Sequence, residues 1–207
     1  YIDNFDSINN GWTTSNSTAG TIWELGTPAF GATTGSHSPP NCWDVNLNSA
    51  YQGQANCDLI SPYFDFTNVI NAEISFWMNY NVESNWDGTR LDYSTDGGVT
   101  YSPLGGFGCL SCTNWFTNPS LISSGKPGWD GNSNGWKLAM DTDLTFLNGN
   151  PDPVVFKFVF TADFSVNYDG SSIDDFTLYK PITLTAGTKD VYPLNNILTP
   201  GPQYIVG

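Results

Sequence analysis

Two runs of this chain alternate apolar and polar residues with a period of two, and no stretch carries a sustained helical period with caps. Ile74, Phe76, Met78 and Tyr80 fall on one side of the run from Ala72 to Tyr80, with Glu73, Ser75, Trp77 and Asn79 on the other. Phe156, Phe158 and Phe160 share one face of Val154 to Thr161, with Val155, Lys157 and Val159 opposite. Successive side chains of a strand point to opposite faces, so both runs predict strands with one face in a core, the second of them central. Trp77 then either packs under a loop or forms an exposed platform. Ser94-Thr95-Asp96-Gly97-Gly98, between Leu91-Asp92-Tyr93 and Val99-Thr100-Tyr101, predicts a hairpin, because glycine supplies the positive φ of tight turns. Asn10-Gly11, Asp87-Gly88 and Asn148-Gly149-Asn150-Pro151 mark further turns. The expectation is an all-β fold, and 207 residues suffice for one large sandwich. With 8 Trp, 13 Phe and 10 Tyr the chain can bury enough apolar surface to order itself.

Charge narrows the partners. Twenty acidic residues against six basic ones give a formal net charge of -14, and the basic residues are scattered, so no cluster exists to bind nucleic acid phosphates. Anionic membrane surfaces are disfavoured for the same reason. Divalent cations and neutral ligands such as sugars are compatible with this surface. No apolar run is long enough to insert in a membrane, and Tyr1-Ile2-Asp3-Asn4-Phe5 reads as mature sequence. A secreted or cell-surface location is expected.

Four cysteines, Cys42, Cys57, Cys109 and Cys112, form an even set that predicts structural disulfides in an extracellular protein. The spacing of Cys109 and Cys112 also fits half of a zinc or redox site, but Cys42 and Cys57 are too far apart in sequence to supply the other half. Residues 105 to 135 read as a long irregular insertion, the kind of loop that carries function on a rigid scaffold. After Tyr179 the character changes, and residues 181 to 207 are expected to be a linker and the beginning of a following Ig-like β-domain.

Four stretches carry a family resemblance: Asn4-Phe5-Asp6 with Gly11-Trp12; Leu59-Ile60-Ser61-Pro62 with Phe64-Asp65-Phe66; Tyr93 to Gly98; and Gly170-Ser171-Ser172-Ile173-Asp174-Asp175-Phe176. Their order resembles the extracellular jelly-roll modules related to MAM domains and to the cleaved-adhesin modules of bacterial surface proteases. The resemblance spans residues 1 to 180 and implies an antiparallel two-sheet jelly-roll sandwich, export, frequent structural calcium, and a place within a larger secreted protein. It implies no single ligand, and the cysteine-bearing insertion departs from it.

Three groups of residues are candidates for sites. Asp174 and Asp175 are adjacent in a strand; if Phe176 and Leu178 face the core, Asp174 shares their side, and a buried carboxylate needs a cation or several donors. Calcium is expected there, with Asp6 the neighbour the resemblance suggests and Asn41 or Asp44 looser ones. Separately, Asp130, Asn132 and Asn134 place oxygens at positions one, three and five of an EF-hand-like loop with Gly135 at six, the Trp136 carbonyl at seven and Asp141 at twelve. Among the aromatics, Trp86, Trp115 and Trp129 lie in Asn- and Gly-rich surroundings suited to stacking against sugar rings, whereas Trp12, Trp23 and Trp43 are expected to pack in the sandwich.

Catalysis has little support. His37, the one histidine, lies in Gly35-Ser36-His37-Ser38-Pro39-Pro40 without an identifiable nucleophile and orienting acid, and Glu83 with Asp87 is the nearest approach to a glycosidase pair. The expected function is a calcium-stabilised, non-catalytic module binding carbohydrate or a cell surface. The alternative is a structural or assembly module beside a secreted protease or in a surface filament, packed against neighbouring domains or chains.

Overall fold

The computed structural model describes residues 1–7, 10–16 and 20–180, so the expected linker and second domain lie outside the described residues. Twelve strands follow one another: β1 Ile2–Asp3, β2 Thr13–Asn16, β3 Trp23–Gly26, β4 Cys42–Val45, β5 Asn56–Ile60, β6 Glu73–Asn81, β7 Gly88–Ser94, β8 Ser102–Pro103, β9 Cys112–Thr113, β10 Lys137–Asp141, β11 Val155–Thr161 and β12 Gly170–Tyr179. They form two antiparallel sheets. One has the order β3-β4-β12-β6-β10-β9 with β1 added beside β12, and the other has the order β2-β5-β11-β7-β8. This is the antiparallel two-sheet sandwich that the resemblance implies, built from the strands that the alternating runs predict.

The core lies where the two inner faces meet. Phe76 of β6 and Phe158 of β11 meet edge-to-face with ring centroids 4.9 Å apart, and Trp12 meets Phe176 of β12 at 5.0 Å. Such aromatic pairs add roughly 0.5–1.5 kcal/mol each beyond the apolar area they bury. Thr89 Oγ1 donates across the core to Ser171 Oγ at 2.7 Å, satisfying two buried hydroxyls. The sequence expectation for β11 holds: it sits between β5 and β7, with its three phenylalanines fully buried. The hairpin forms between β7 and β8, and Asp96 ties its turn by accepting from the Val99 and Thr100 amides at 3.0 and 2.9 Å.

One expectation about β12 fails for a definite reason. Its register to β6 shifts between Asp174 and Thr177, and Asp175 has φ 49°. The extra residue breaks the alternation, as a β-bulge does. Ile173 pairs with Met78 and Asp174 with Trp77, so Asp174 faces outward with Trp77 instead of inward with Phe176. It is buried all the same, because the segment around Ser38 covers it. The bulge also marks where β4 gives way to β1 along the edge of β12: β4 pairs with Ser172 and Ile173, β1 with Phe176 and Thr177.

The 105 to 135 insertion is anchored on the sandwich by a few buried side chains. Leu121 and Trp129 are fully buried, and Trp115 and Phe116 nearly so.

Candidate functional site

On the outer face of the five-stranded sheet, Asn56, Asp58 and Ile60 of β5 lie beside Thr161, Val159 and Lys157 of β11, because their neighbours Cys57, Leu59, Phe158 and Phe160 point into the core. Where β5 and β11 meet at Asn56 and Thr161, the face ends in a groove of about 440 Å³ lined by Gln54, Asn56, Trp86, Ile122, Ser123, Thr161, Asp163 and Phe164. Trp86 is 41% exposed and Phe164 81% exposed, both high for large aromatic residues.

The walls of this groove are held by backbone bonds. The Ser123 amide donates to the Trp86 carbonyl at 3.0 Å and the Ile122 amide to the Asn85 carbonyl at 3.0 Å, so the Trp86 loop is braced by the insertion. Only glycine fits at position 88, since a Cβ there would lie 2.3 Å from the Trp129 carbonyl oxygen. Opposite, the Asp163 amide donates to Asp87 Oδ1 at 2.7 Å, and the Tyr51 hydroxyl oxygen lies 3.2 Å from the Val166 carbonyl. Val166 has φ 60°, a conformation that costs a β-branched residue on the order of 1–2 kcal/mol and is held by this surrounding network.

Beneath the Trp86 loop three carboxylates converge. Oxygens of Glu83, Asp87 and Asp163 lie within 4.8 Å of one another. Asp87 is fully buried and accepts from the Tyr51 hydroxyl at 2.7 Å. Burial pushes its carboxyl up to about 6, the Tyr51 and Asp163 hydrogen bonds pulling the other way. Glu83 Oε2 is buried without a protein donor. Oxygens so placed can share a proton or hold a hard divalent cation.

The outer face of the seven-stranded sheet is closed by residues 27 to 41. The Ala32 and Thr33 amides donate to Asp169 Oδ2 at 2.8 and 2.9 Å, and the Ser38 amide to Asp174 Oδ2 at 2.8 Å. His37 Nδ1 is 2.6 Å from Asp175 Oδ2, and its ring stacks on Trp77 with centroids 3.7 Å apart. Ser38 Oγ donates to Asp175 at 2.7 Å. Although Ser, His and Asp meet here, the serine is bonded to the carboxylate rather than to the imidazole, so it is not set up as a nucleophile. Asp44, covered by the same segment, accepts from Ser172 Oγ at 2.7 Å, and burial raises its carboxyl to about 8.

The residues expected to bind calcium at two places are engaged in hydrogen bonds within the protein. Asp174 also accepts from the Asp175 amide at 2.7 Å, and burial raises its carboxyl to about 6. Asp6 accepts from Asn4 Nδ2 at 2.7 Å and from the Asn41 amide at 3.3 Å. Asp130 accepts from the Asn85 amide, Thr117 Oγ1 and Asn118 Nδ2 at 2.6, 2.6 and 3.0 Å, bracing the insertion against the Trp86 loop. Asn132 accepts from the Asn134 amide at 2.6 Å. The EF-hand-like set does not assemble: Asn132 bridges to Asn81, whereas Asp141 pairs with Ile74, seven residues away and so about 23 Å along β6. A hairpin-like return and strand β10 replace the helix that would bring the twelfth position back.

Two other expectations are corrected. Trp115 and Trp129 do not face solvent; they pack on each other at 5.3 Å, and their indole N–H groups donate to the Leu104 and Asn114 carbonyls at 2.9 Å. Asn- and Gly-rich flanks signalled their turns, not their exposure. Of the four cysteines, Cys109 and Cys112 form a disulfide, while Cys42 and Cys57 are buried thiols. Those two occupy different sheets. Cys57 points into the core, and Cys42, flanked by the core residue Trp43, points outward toward Asp44 and Asp174, so their Cβ vectors diverge.

Sequence reasoning missed Phe164, Asn56 and Asp163. The signal available was Phe164, Val166 and Tyr168 recurring in a short polar loop directly after β11, where three large apolar side chains have no strand to pack them.

No family model matches the chain, and no curated protein matches it. Solved structures do. The K3 cleaved adhesin domain of Lys-gingipain from Porphyromonas gingivalis W83 is 14% identical with TM-score 0.51, covering 87% of this chain and 98% of that one. The K1 domain of the same protein is 15% identical with TM-score 0.50 over the same shares. TmCBM61, solved in complex with beta-1,4-galactotriose, is 10% identical with TM-score 0.50, covering 83% of this chain and 90% of that one. At such identities the likeness is one of fold: a cleaved-adhesin-like, carbohydrate-binding-module-like β-sandwich.

Proposed function

We propose that this chain is a non-catalytic, extracellular binding module whose ligand is a neutral carbohydrate, seated in the groove of Trp86 and Phe164. The observation that carries this reading is the exposed indole of Trp86 on a braced loop, beside the polar side chains of Asn56, Ser123, Thr161 and Asp163. A sugar presents an apolar C–H face and a rim of hydroxyls, so an aromatic platform next to hydrogen-bonding groups matches both. The net charge of -14 works against polyanionic glycans. That a module of the same fold was solved with beta-1,4-galactotriose supports the ligand class. Glycan-array screening followed by calorimetry tests it: wild-type protein binds a neutral glycan and Trp86→Ala does not, whereas silence across the array counts against recognition of carbohydrate.

Calcium belongs to the same proposal as a stabiliser. Asp6, Asp174, Asp175, Asp130, Asn132, Asn134 and Asp141 were the oxygens expected to hold it; Glu83, Asp87 and Asp163 fit better, because one buried oxygen there lacks a donor and all three carboxylates converge.

A second reading, assembly with a neighbouring domain or chain, is favoured by one feature. Leu110, between Cys109 and Cys112, is fully exposed, and Phe107 is 60% exposed beside it, a small apolar knob on a disulfide-closed turn.

A further inference from the structure

A second groove, of about 420 Å³, opens on the same outer face at the far end of β11. Tyr63, half exposed, and Tyr101 line it together with Ile60 and Val155. The residues lining the two grooves are six apart on β11, Val155 and Thr161, and four apart on β5, Ile60 and Asn56, so the grooves are separated by about 13–20 Å of strand. Between them the face carries two ion pairs. Lys157 Nζ is 3.2 Å from Asp58 and lies 4.0 Å from the centroid of the Tyr101 ring. Arg90 Nε is 3.0 Å from Asp92 Oδ1. All four side chains are largely buried, so they lie along the sheet instead of reaching into solvent.

We infer that the two grooves are the ends of one track along β11, built for an internal stretch of a linear neutral polysaccharide. The inference rests on the carbohydrate reading above and extends it from a single groove to a chain. Three observations select this ligand. Aromatic rings stand at both ends, Trp86 with Phe164 and Tyr63 with Tyr101, so a chain can stack at each. The middle is polar, but each cation already has its anion and lies along the sheet, which leaves no net charge there to attract an ionic ligand. A separation of about 13–20 Å exceeds what a mono- or disaccharide can bridge. A linear chain lying beside the strand direction meets both ends, whereas a branched or terminal sugar meets one.

The test is the dependence of affinity on chain length. Calorimetry with β-1,4-linked gluco- and galacto-oligosaccharides, from disaccharide to hexasaccharide, is run on wild-type, Trp86→Ala and Tyr63→Ala proteins. The track predicts that affinity rises through the tetrasaccharide, and that Tyr63→Ala weakens the hexasaccharide by about two- to tenfold, the worth of one aromatic contact, while leaving the disaccharide unchanged. Tyr63→Phe, which keeps the ring, retains hexasaccharide affinity. Should affinity level off at the disaccharide and ignore Tyr63, the track is wrong and the Trp86 groove stands alone. Should no oligosaccharide bind at any length, the carbohydrate reading itself falls.

Discussion

The imidazole of His37 lies nearly flat on the indole of Trp77, with their planes 13° apart, while Nδ1 meets Asp175. The one histidine, which the sequence places in a loop without catalytic partners, is thus the clasp of the 27 to 41 segment on the seven-stranded sheet. His37→Ala is expected to lower stability by about 1 kcal/mol, the value of one stacked pair and a hydrogen bond, and to leave glycan affinity unchanged. Urea unfolding and calorimetry on the same sample measure both.

The tryptophans separate packing from recognition. Trp129 is fully buried among Phe76, Trp115 and Phe116, so Trp129→Ala should cost about 3–5 kcal/mol. Trp86 is an exposed rim residue, and Trp86→Ala should change stability by less than about 1 kcal/mol while reducing glycan affinity about tenfold or more. Denaturant midpoints and binding isotherms for the two variants give opposite patterns.

Asp44 sets a pH dependence. Its carboxyl is raised from 3.8 to about 8 in the folded protein by burial, with Ser172 opposing and Asp169 reinforcing the shift. Between these values the folded state holds a proton that the unfolded chain has released, so the contribution of Asp44 to stability is full below about pH 4 and is lost as pH rises to about 8. Asp44→Asn, which keeps the shape and the oxygen facing Ser172, should flatten that decline. Thermal melts of wild type and variant between pH 4 and pH 9 compare the slopes.

Calcium makes a separate prediction. At a concentration of one hundred times its dissociation constant, an ion that binds only the folded state adds about 2.7 kcal/mol, or roughly 5–10 °C in a domain of this size. Calcium should raise the melting temperature, a chelator should reverse the gain, and Glu83→Gln should remove most of it. A full response in Glu83→Gln, lost instead on Asp174→Asn, would return the ion to the bulge of β12.

Much of the fold was legible because alternation reports directly on which side of a strand is buried. Phe156, Phe158 and Phe160 announced β11, and Ile74, Phe76 and Met78 announced β6. Alternation also misled at Asp174, since a bulge adds a residue without any mark in the local pattern. Cys42 and Cys57 suggested a bridge because counting cysteines says nothing about which sheet each joins. The site was only partly visible. Trp86 could be singled out from its surroundings, but the groove needs Asn56, Thr161 and Phe164, which only the pairing of β5 with β11 and the loop after it bring to the same place.

The indole N–H resonances offer a direct view of the groove. In a nitrogen-15 correlation spectrum recorded during titration with a β-1,4-linked tetrasaccharide, the Trp86 indole signal should shift. Those of Trp115 and Trp129, held by the Leu104 and Asn114 carbonyls, should stay in place. A titration that shows saturable binding while Trp86 does not move would mean that the ligand sits elsewhere and that this groove is not the binding site.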